Sequence, residues 1–347
     1  MRRLLLGAVL LILACEGAAT LPAPSQPART ATPTTPIDVS DMMGAFPPTT
    51  FFVVTPDSVK AIALLNHATK YSIPVDRGDV QVAVAQASRR VYVMDQTSVS
   101  ARLRSFDVDT GVEVASRMLA QAITVPADSA HATLAVDALS GDVFALVARG
   151  ATRSVEQFSG RSLEPMRAVL GDLRCGDRIA AAAARVVLAC MDEGGIVTVE
   201  PGGGGKFRAD APLTALATLP DGTVLAGSAD ASLWRLANGA TALERVDSLK
   251  ARDRSLLKDG IAAQGDCCFL IGLVDGVANT QVRVVVGGFT LLLFPEAQRP
   301  QGGILVQPPF AYYTVGSQAR HTDIQQGFSE TMADLGARVL SGAVADR

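Results

Sequence analysis

The chain has 347 residues, 48% hydrophobic and 19% charged, with a formal net charge of −3. That length and apolar content suffice for a large core in one to three domains. There is no basic excess to neutralise phosphates, so no nucleic-acid partner is expected.

Residues 1–14 read as an export signal. Arg2 and Arg3 form a positive start, and Leu4 to Leu13 form an apolar run too short to span a bilayer. The run ends in Ile12-Leu13-Ala14-Cys15. It resembles the bacterial lipobox, in which two apolar residues and a small residue precede Cys. The resemblance implies that Cys15 is acylated on its thiol and becomes the first residue after cleavage. Several acyl chains, at roughly 0.8 kcal/mol per buried methylene, anchor a protein stably. The expected location is therefore extracytoplasmic, with the chain held to a bacterial membrane, periplasmic or at the cell surface, through lipidated Cys15.

Residues 15–49 contain that Cys and a stretch rich in Ala, Thr, Pro and Ser (ATLPAPSQPARTATPTTP). Frequent Pro and few bulky apolar residues argue for an unfolded tether. The folded domain is expected over 50–340, with 341–347 as a C-terminal tail.

From residue 50 the pattern is strand, turn, strand. The clearest unit is VQVAVAQ, RRVYVMDQ, RLRSFDVDTG and EVASRML. Looser sets begin at TFFVV, ATLAV, RIAAA, LTALA, GIAAQ and ILVQP, with Gly, Asp or Asn at the bends. The most apolar strand of each set recurs near positions 51, 90, 142, 185, 223, 268 and 310. That spacing suits propeller blades. One four-stranded sheet cannot bury both of its faces, and radial stacking buries them. The expected fold is all-β: a β-propeller of about seven four-stranded blades.

Arg90-Val91-Tyr92-Val93 and Phe106-Asp107-Val108-Asp109-Thr110-Gly111 resemble the bacterial YVTN and quinoprotein-like (WD40-like) propellers. Elsewhere the turn survives as Ser159-Gly160, Pro201-Gly202 and Asn238-Gly239. Trp234 is the only Trp, so no regular blade tryptophan is present.

The tail supports two readings. Ser329 and Glu330 could cap a helix with Met332, Leu335 and Val339 on one face. Alternatively, Ala337 to Val344 is a strand that supplies the missing innermost member of the first set and removes an open edge.

Four cysteines follow Cys15. Export permits disulfides, and Cys175, Cys190, Cys267 and Cys268 are the candidates. Cys175 and Cys190 flank RIAAAAARVVLA and face each other if Ala182-Ala183 form the hairpin tip. The adjacent Cys267 and Cys268 read as one core thiol and one outer thiol. A bond between them would resemble the vicinal disulfide beside the quinone of quinoprotein alcohol dehydrogenases.

His67, His131 and His321 lack partners at ligand spacing, so they read as turn or loop residues and no metal is expected. Pro201 to Phe207 is not a phosphate loop, because Glu200 and Phe207 stand where Gly and Ser or Thr are needed. Asp107 and Asp109 are too few for calcium and read as turn residues. Phe310, Tyr312 and Tyr313 form the densest aromatic cluster. They read as a core strand, with a binding surface at the propeller mouth as the alternative.

No catalytic constellation stands out, and no cofactor is expected. The functional expectation is a non-catalytic, lipid-anchored module that binds or scaffolds an envelope protein or a glycan. Two alternatives remain. One is an envelope assembly factor, similar to the propeller lipoprotein of outer-membrane barrel insertion. The other is a propeller enzyme, such as a lactonase or quinone-dependent dehydrogenase.

Overall fold

A computed structural model describes residues 49–345 apart from the segments 77–78, 86–87, 97–99, 120–132, 138–139, 150–151, 174–177, 184, 191–193, 200–203, 220, 229, 231, 247–254, 265–268, 276–279, 287–288, 297–299, 308–309, 324–327 and 338–340. The described residues form strands and turns only. The first strands are β1 (Thr50–Val54), β2 (Ser58–Ala63) and β3 (Thr69–Pro74). The second set is β4 (Asp79–Ala85), β5 (Arg90–Gln96), β6 (Ala101–Asp107) and β7 (Glu113–Leu119). The third is β8 (Leu134–Val136), β9 (Val143–Arg149), β10 (Thr152–Phe158) and β11 (Pro165–Leu173). The fourth is β12 (Arg178–Ala182), β13 (Arg185–Cys190), β14 (Gly195–Val199) and β15 (Lys206–Arg208). The fifth is β16 (Leu213–Thr218), β17 (Val224–Ser228), β18 (Leu233–Leu236) and β19 (Glu244–Val246). The sixth is β20 (Ser255–Gln264), β21 (Phe269–Asp275), β22 (Thr280–Val286) and β23 (Phe289–Glu296). The seventh is β24 (Pro300–Gln307), β25 (Phe310–Val315), β26 (Gln318–Asp323) and β27 (Phe328–Asp334), and β28 (Ser341–Ala345) ends the series.

Among the described residues these strands make seven four-stranded antiparallel sheets. In six of them the strands run in chain order, and the first is β28-β1-β2-β3. The leading strands touch in a ring: β4 against β8, then β12, β16, β20, β24, β28 and back to β4. Sheets stacked around such a ring are a β-propeller. Closure comes from β28, whose Ala345 to Ser341 pair with Thr50 to Val54 of β1.

The tail is therefore corrected on two points. Phe328–Asp334 is the outer strand β27 and not a helix, because Met332 alternates into the seam with the first sheet, where Phe51, Val53 and Tyr312 also pack. The propeller also does not stop at residue 340, since Ser341–Ala345 is its closing strand.

The core lies between sheets, which explains why each second strand is so apolar. In β5, Val91 and Val93 pack toward the first sheet with Phe52, Val54 and Ile73. Tyr92 and Met94 point the other way, toward Val143, Ala145 and Phe158 of the third sheet. β13 splits in the same way: Val186 and Leu188 meet Phe144 and Leu146, while Val187 and Ala189 meet Leu213 and Trp234. A side-chain period of two with both faces covered demands a continuous apolar run. The outermost strands have one neighbour, and β3 and β7 are mostly exposed.

This topology makes two faces. Turns between second and third strands, and the crossings to the next sheet, lie on the crossing face. Turns between first and second strands, and between third and fourth, lie on the hairpin face.

One turn recurs on the hairpin face at 63–68, 107–112, 137–142 and 159–164. In each, the fifth amide donates to the first carbonyl, and the first amide donates to the sixth carbonyl. The fifth residue is left-handed: His67 (φ 58°), Gly111 (69°), Gly141 (73°) and Leu163 (59°). Glycine takes that conformation without a Cβ penalty, whereas His67 and Leu163 incur roughly 1–2 kcal/mol each. In Ser159-Gly160 the glycine is therefore not the left-handed residue. Gly160 is small because a Cβ there would collide with the Gly141 carbonyl.

Tyrosines fasten these turns to the preceding sheet. Tyr71 donates to the Val108 carbonyl at 2.5 Å, and a Cβ on Gly111 would lie 2.5–2.8 Å from its ring. Tyr92 donates to the Gly160 carbonyl at 2.7 Å.

Candidate functional site

A buried ion cluster lies at the crossing-face end of the seam between the first and second sheets; Asp137, Arg178 and Arg185 are buried elsewhere. Asp95 of β5 and Arg104 of β6 are 2% and 4% exposed at their side chains. Val80, Asp95 and Arg102 share one register row, so β4, β5 and β6 turn them toward the first sheet together. Arg104 Nη2 donates to Asp95 Oδ2 at 2.6 Å and to the Pro74 carbonyl at 2.8 Å. Arg102 Nη2 donates to the same Asp95 oxygen at 3.2 Å and to Asp76 at 3.3 Å. The Arg104 guanidinium also stands 5.2 Å from the centre of the Phe106 ring.

Burial pushes the Asp95 carboxyl up, although both arginines pull it down. Desolvation outweighs pairing because the carboxylate is held by one oxygen. Among the described residues, its Oδ1 and the Nε atoms of Arg102 and Arg104 are buried without a hydrogen-bond partner. Two carboxylates face two guanidiniums, so the cluster is neutral. It locks two sheets together, through Arg104 on the Pro74 carbonyl and Arg102 on Asp76.

The second polar group is at the closing seam. His67, in the left-handed turn of the first sheet, lies 5.5 Å from His321 of β26, ring centre to ring centre. His321 Nε2 is 3.5 Å from Glu330 Oε2, and its ring stands edge-on to Tyr312. His321 is thus a strand residue, where a turn or loop position was expected, and ring closure brings it beside a histidine far away in sequence. His131 lies outside the described residues. Among the described residues, no group of three or more His, Cys, Asp or Glu is arranged to hold a metal.

The other expected site residues separate as follows. Cys190 is disulfide-bonded and 4% exposed. Cys15, Cys175, Cys267 and Cys268 lie outside the described residues. The β12–β13 hairpin turns between Ala182 and Arg185, so its register sets Arg178 opposite Ala189. That register runs two residues short of setting positions 175 and 190 directly opposite each other. Tyr312 and Tyr313 are 2% and 0% exposed, so they belong to the core and not to a mouth surface. Tyr313 reaches Ser329 at 2.8 Å, and nothing is described of the Phe310 side chain.

Asp107 and Asp109 are turn residues. Asp107 Oδ1 accepts from the Asp109 and Thr110 amides and from the Thr110 hydroxyl, which holds its carboxyl below the usual range. Asp109 accepts from Arg89 at 2.7 and 3.0 Å. Gly205 precedes a strand, not a helix, so no helix N-terminus stands there to hold a phosphate.

No known family model matches the chain, and no curated protein matches it in sequence. Solved structures do match in fold. A functionally unknown protein from Desulfotomaculum acetoxidans is 10% identical with a TM-score of 0.66, covering 86% of this chain and 99% of that one. The RRP9 WD40 repeats are 12% identical with a TM-score of 0.59, over 86% of this chain and 91% of theirs. The β-propeller domain of the Trilobed protease from Pyrococcus furiosus is 11% identical with a TM-score of 0.58, over 80% and 87%, and is described as having an open velcro topology. These likenesses agree with the sheet topology in defining a β-propeller fold.

The ion cluster yields a stability prediction. Arg104→Met leaves Asp95 buried beside only the partly exposed Arg102, and should cost about 3–5 kcal/mol in urea unfolding. Adding Asp95→Leu should recover most of that loss. Equal stability of Arg104→Met and wild type would contradict the assignment.

Proposed function

We propose that this protein is a lipid-anchored, non-catalytic propeller that holds a partner, an envelope protein or a glycan, on its crossing face. The observation that carries the reading is the pairing of an export and acylation signal ending at Cys15 with a disulfide-bonded Cys190 in the folded domain. A stable structural disulfide suits an oxidising compartment outside the cytoplasm. The crossing face suits binding because its connections are the longest, residues 120–133 between β7 and β8 and 247–254 between β19 and β20. Loops on a rigid ring can vary without disturbing the seams. Buried charges join neighbouring sheets: Arg104 donates to the Pro74 carbonyl, and Arg185 donates to the Gly222 carbonyl at 2.8 Å.

Sequence position and strand register favour one partner for Cys190. Cys175 is three residues from Arg178, which pairs with Ala189 next to Cys190. Cys267 and Cys268 belong to the β20–β21 connection, on the hairpin face and two sheets further round. We therefore assign the bond to Cys175 and Cys190. Tryptic digestion of unreduced protein should join residues 175–178 (CGDR) to residues 186–206 with the loss of two hydrogens. Alkylation of both thiols without reductant would contradict the assignment and the exported location.

The binding role is tested by recovering the acylated protein from its own membranes after mild crosslinking. One stoichiometric companion or a defined glycan is expected, crosslinked through crossing-face residues such as Asp57 or Asp230. Recovery of the protein alone, together with turnover of a lactone or an alcohol, would overturn the reading in favour of an enzyme.

A further inference from the structure

Among the described residues, the large apolar side chains left exposed are Leu65 (98%), Val112 (61%), Val114 (43%), Met118 (62%) and Met166 (56%). All five lie on the outer turns or outermost strands of three consecutive sheets. Leu65 sits inside the turn 63–68, and Val112 ends the equivalent turn 107–112. Val114 and Met166 occupy the same position in two copies of the unit, seven residues after Asp107 and Ser159, the first residues of their turns. Four of the five therefore form an apolar arc on the rim of the hairpin face, and Met118 extends it along β7. The outermost strands of the fourth and fifth sheets differ: β15 and β19 have three residues each and read KFR and ERV.

The chain itself says what meets this arc. Its first described residue, Thr49, accepts a hydrogen bond at 3.1 Å from the Leu64 amide, beside Leu65. The polypeptide that leads back to Cys15 therefore leaves the propeller at this rim. For a flexible coil, residues 16–48 have a root-mean-square reach of about 30 Å.

We propose that the arc Leu65, Val112, Val114 and Met166 rests on the lipid surface to which the chain is anchored, turning the crossing face outward. This inference rests on the lipid-anchor reading above. A few exposed apolar side chains bind a bilayer weakly when free. A short tether raises their effective concentration to about the millimolar range, so weak contact becomes frequent contact. The contact is apolar in character. Most of the nearby cations are already paired: Lys70, Arg89 and Arg117 stand 4.0, 2.7 and 3.1 Å from Asp109 and Glu164, while Arg161 of the turn 159–164 is exposed. Zwitterionic lipid should therefore suffice. The arrangement turns the crossing face toward a partner.

The test uses full-length acylated protein in phosphatidylcholine vesicles whose acyl chains are brominated. Leu65→Trp places a reporter on the arc and Asp210→Trp places one on the crossing face. The native Trp234 is 4% exposed in the core and gives a constant background. Both proteins should float with the vesicles. Leu65→Trp should lose most of its added emission to bromine, and Asp210→Trp should keep its own. In the Leu65→Trp protein, Val112→Ser with Val114→Ser and Met166→Ser should restore emission without changing flotation. Flotation with equal emission from both reporters overturns the inference alone. A photo-crosslinker at residue 65 that captures a protein, with no quenching, also overturns it, by assigning the arc to a protein partner. Failure to float removes the anchor, and the inference with it.

Discussion

The fold depends on five residues near its end. β28 supplies the innermost strand of a sheet whose other members are the first strands of the domain. Without it β1 has an open edge, and the inner strands β4 and β24 lose the neighbour that lies between them. In this ring each sheet is covered on both faces, and removing the strand uncovers an edge and part of two seams. The closing strand is therefore what turns a row of hairpins into a cooperative unit. It also links the start and end of the domain in one hydrogen-bonded ladder, so disturbance at either end reaches both.

The seams repeat one logic with different chemistry. Most of each seam is apolar and follows the alternation of the second strand. Polar fasteners sit toward the two faces, where water is near. On the hairpin face Tyr71 and Tyr92 each donate to a backbone carbonyl of the next sheet's turn. On the crossing face Arg104 donates across to the Pro74 carbonyl while paired with Asp95. The tyrosines combine burial with one satisfied hydroxyl. The ion cluster must offset desolvation first, so it contributes more to fixing which sheets meet, and in what register, than to net stability.

Most of the fold was legible in the sequence because its signal is periodic. Each of the recurring apolar positions, near 51, 90, 142, 185, 223, 268 and 310, begins or adjoins a second strand. The strand alternative for the tail was legible too, since the first set lacked an inner member. The helix alternative arose because Met332, Leu335 and Val339 fit a helical spacing, a pattern that cannot register a seam partner remote in sequence. The sites were less legible for the same reason. His67 and His321 meet only when the ring closes. Asp95 and Arg104 look like ordinary strand charges until β3 covers them. The burial of Tyr312 was readable from its apolar neighbours, and Asp107 to Gly111 was readable as a turn from its residue types.

The central claim is that β28 is an integral strand and not a loosely added tail. Native-state hydrogen exchange resolved by residue tests it directly. If closure holds the ring, the hydrogen-bonded amides of Ser341–Ala345 and Thr50–Val54 should exchange only by global unfolding, with the same protection as those of the inner strand β4. Contradiction would be rapid exchange at 341–345 while β4 and β5 stay fully protected, since the ring would then stand without its last strand.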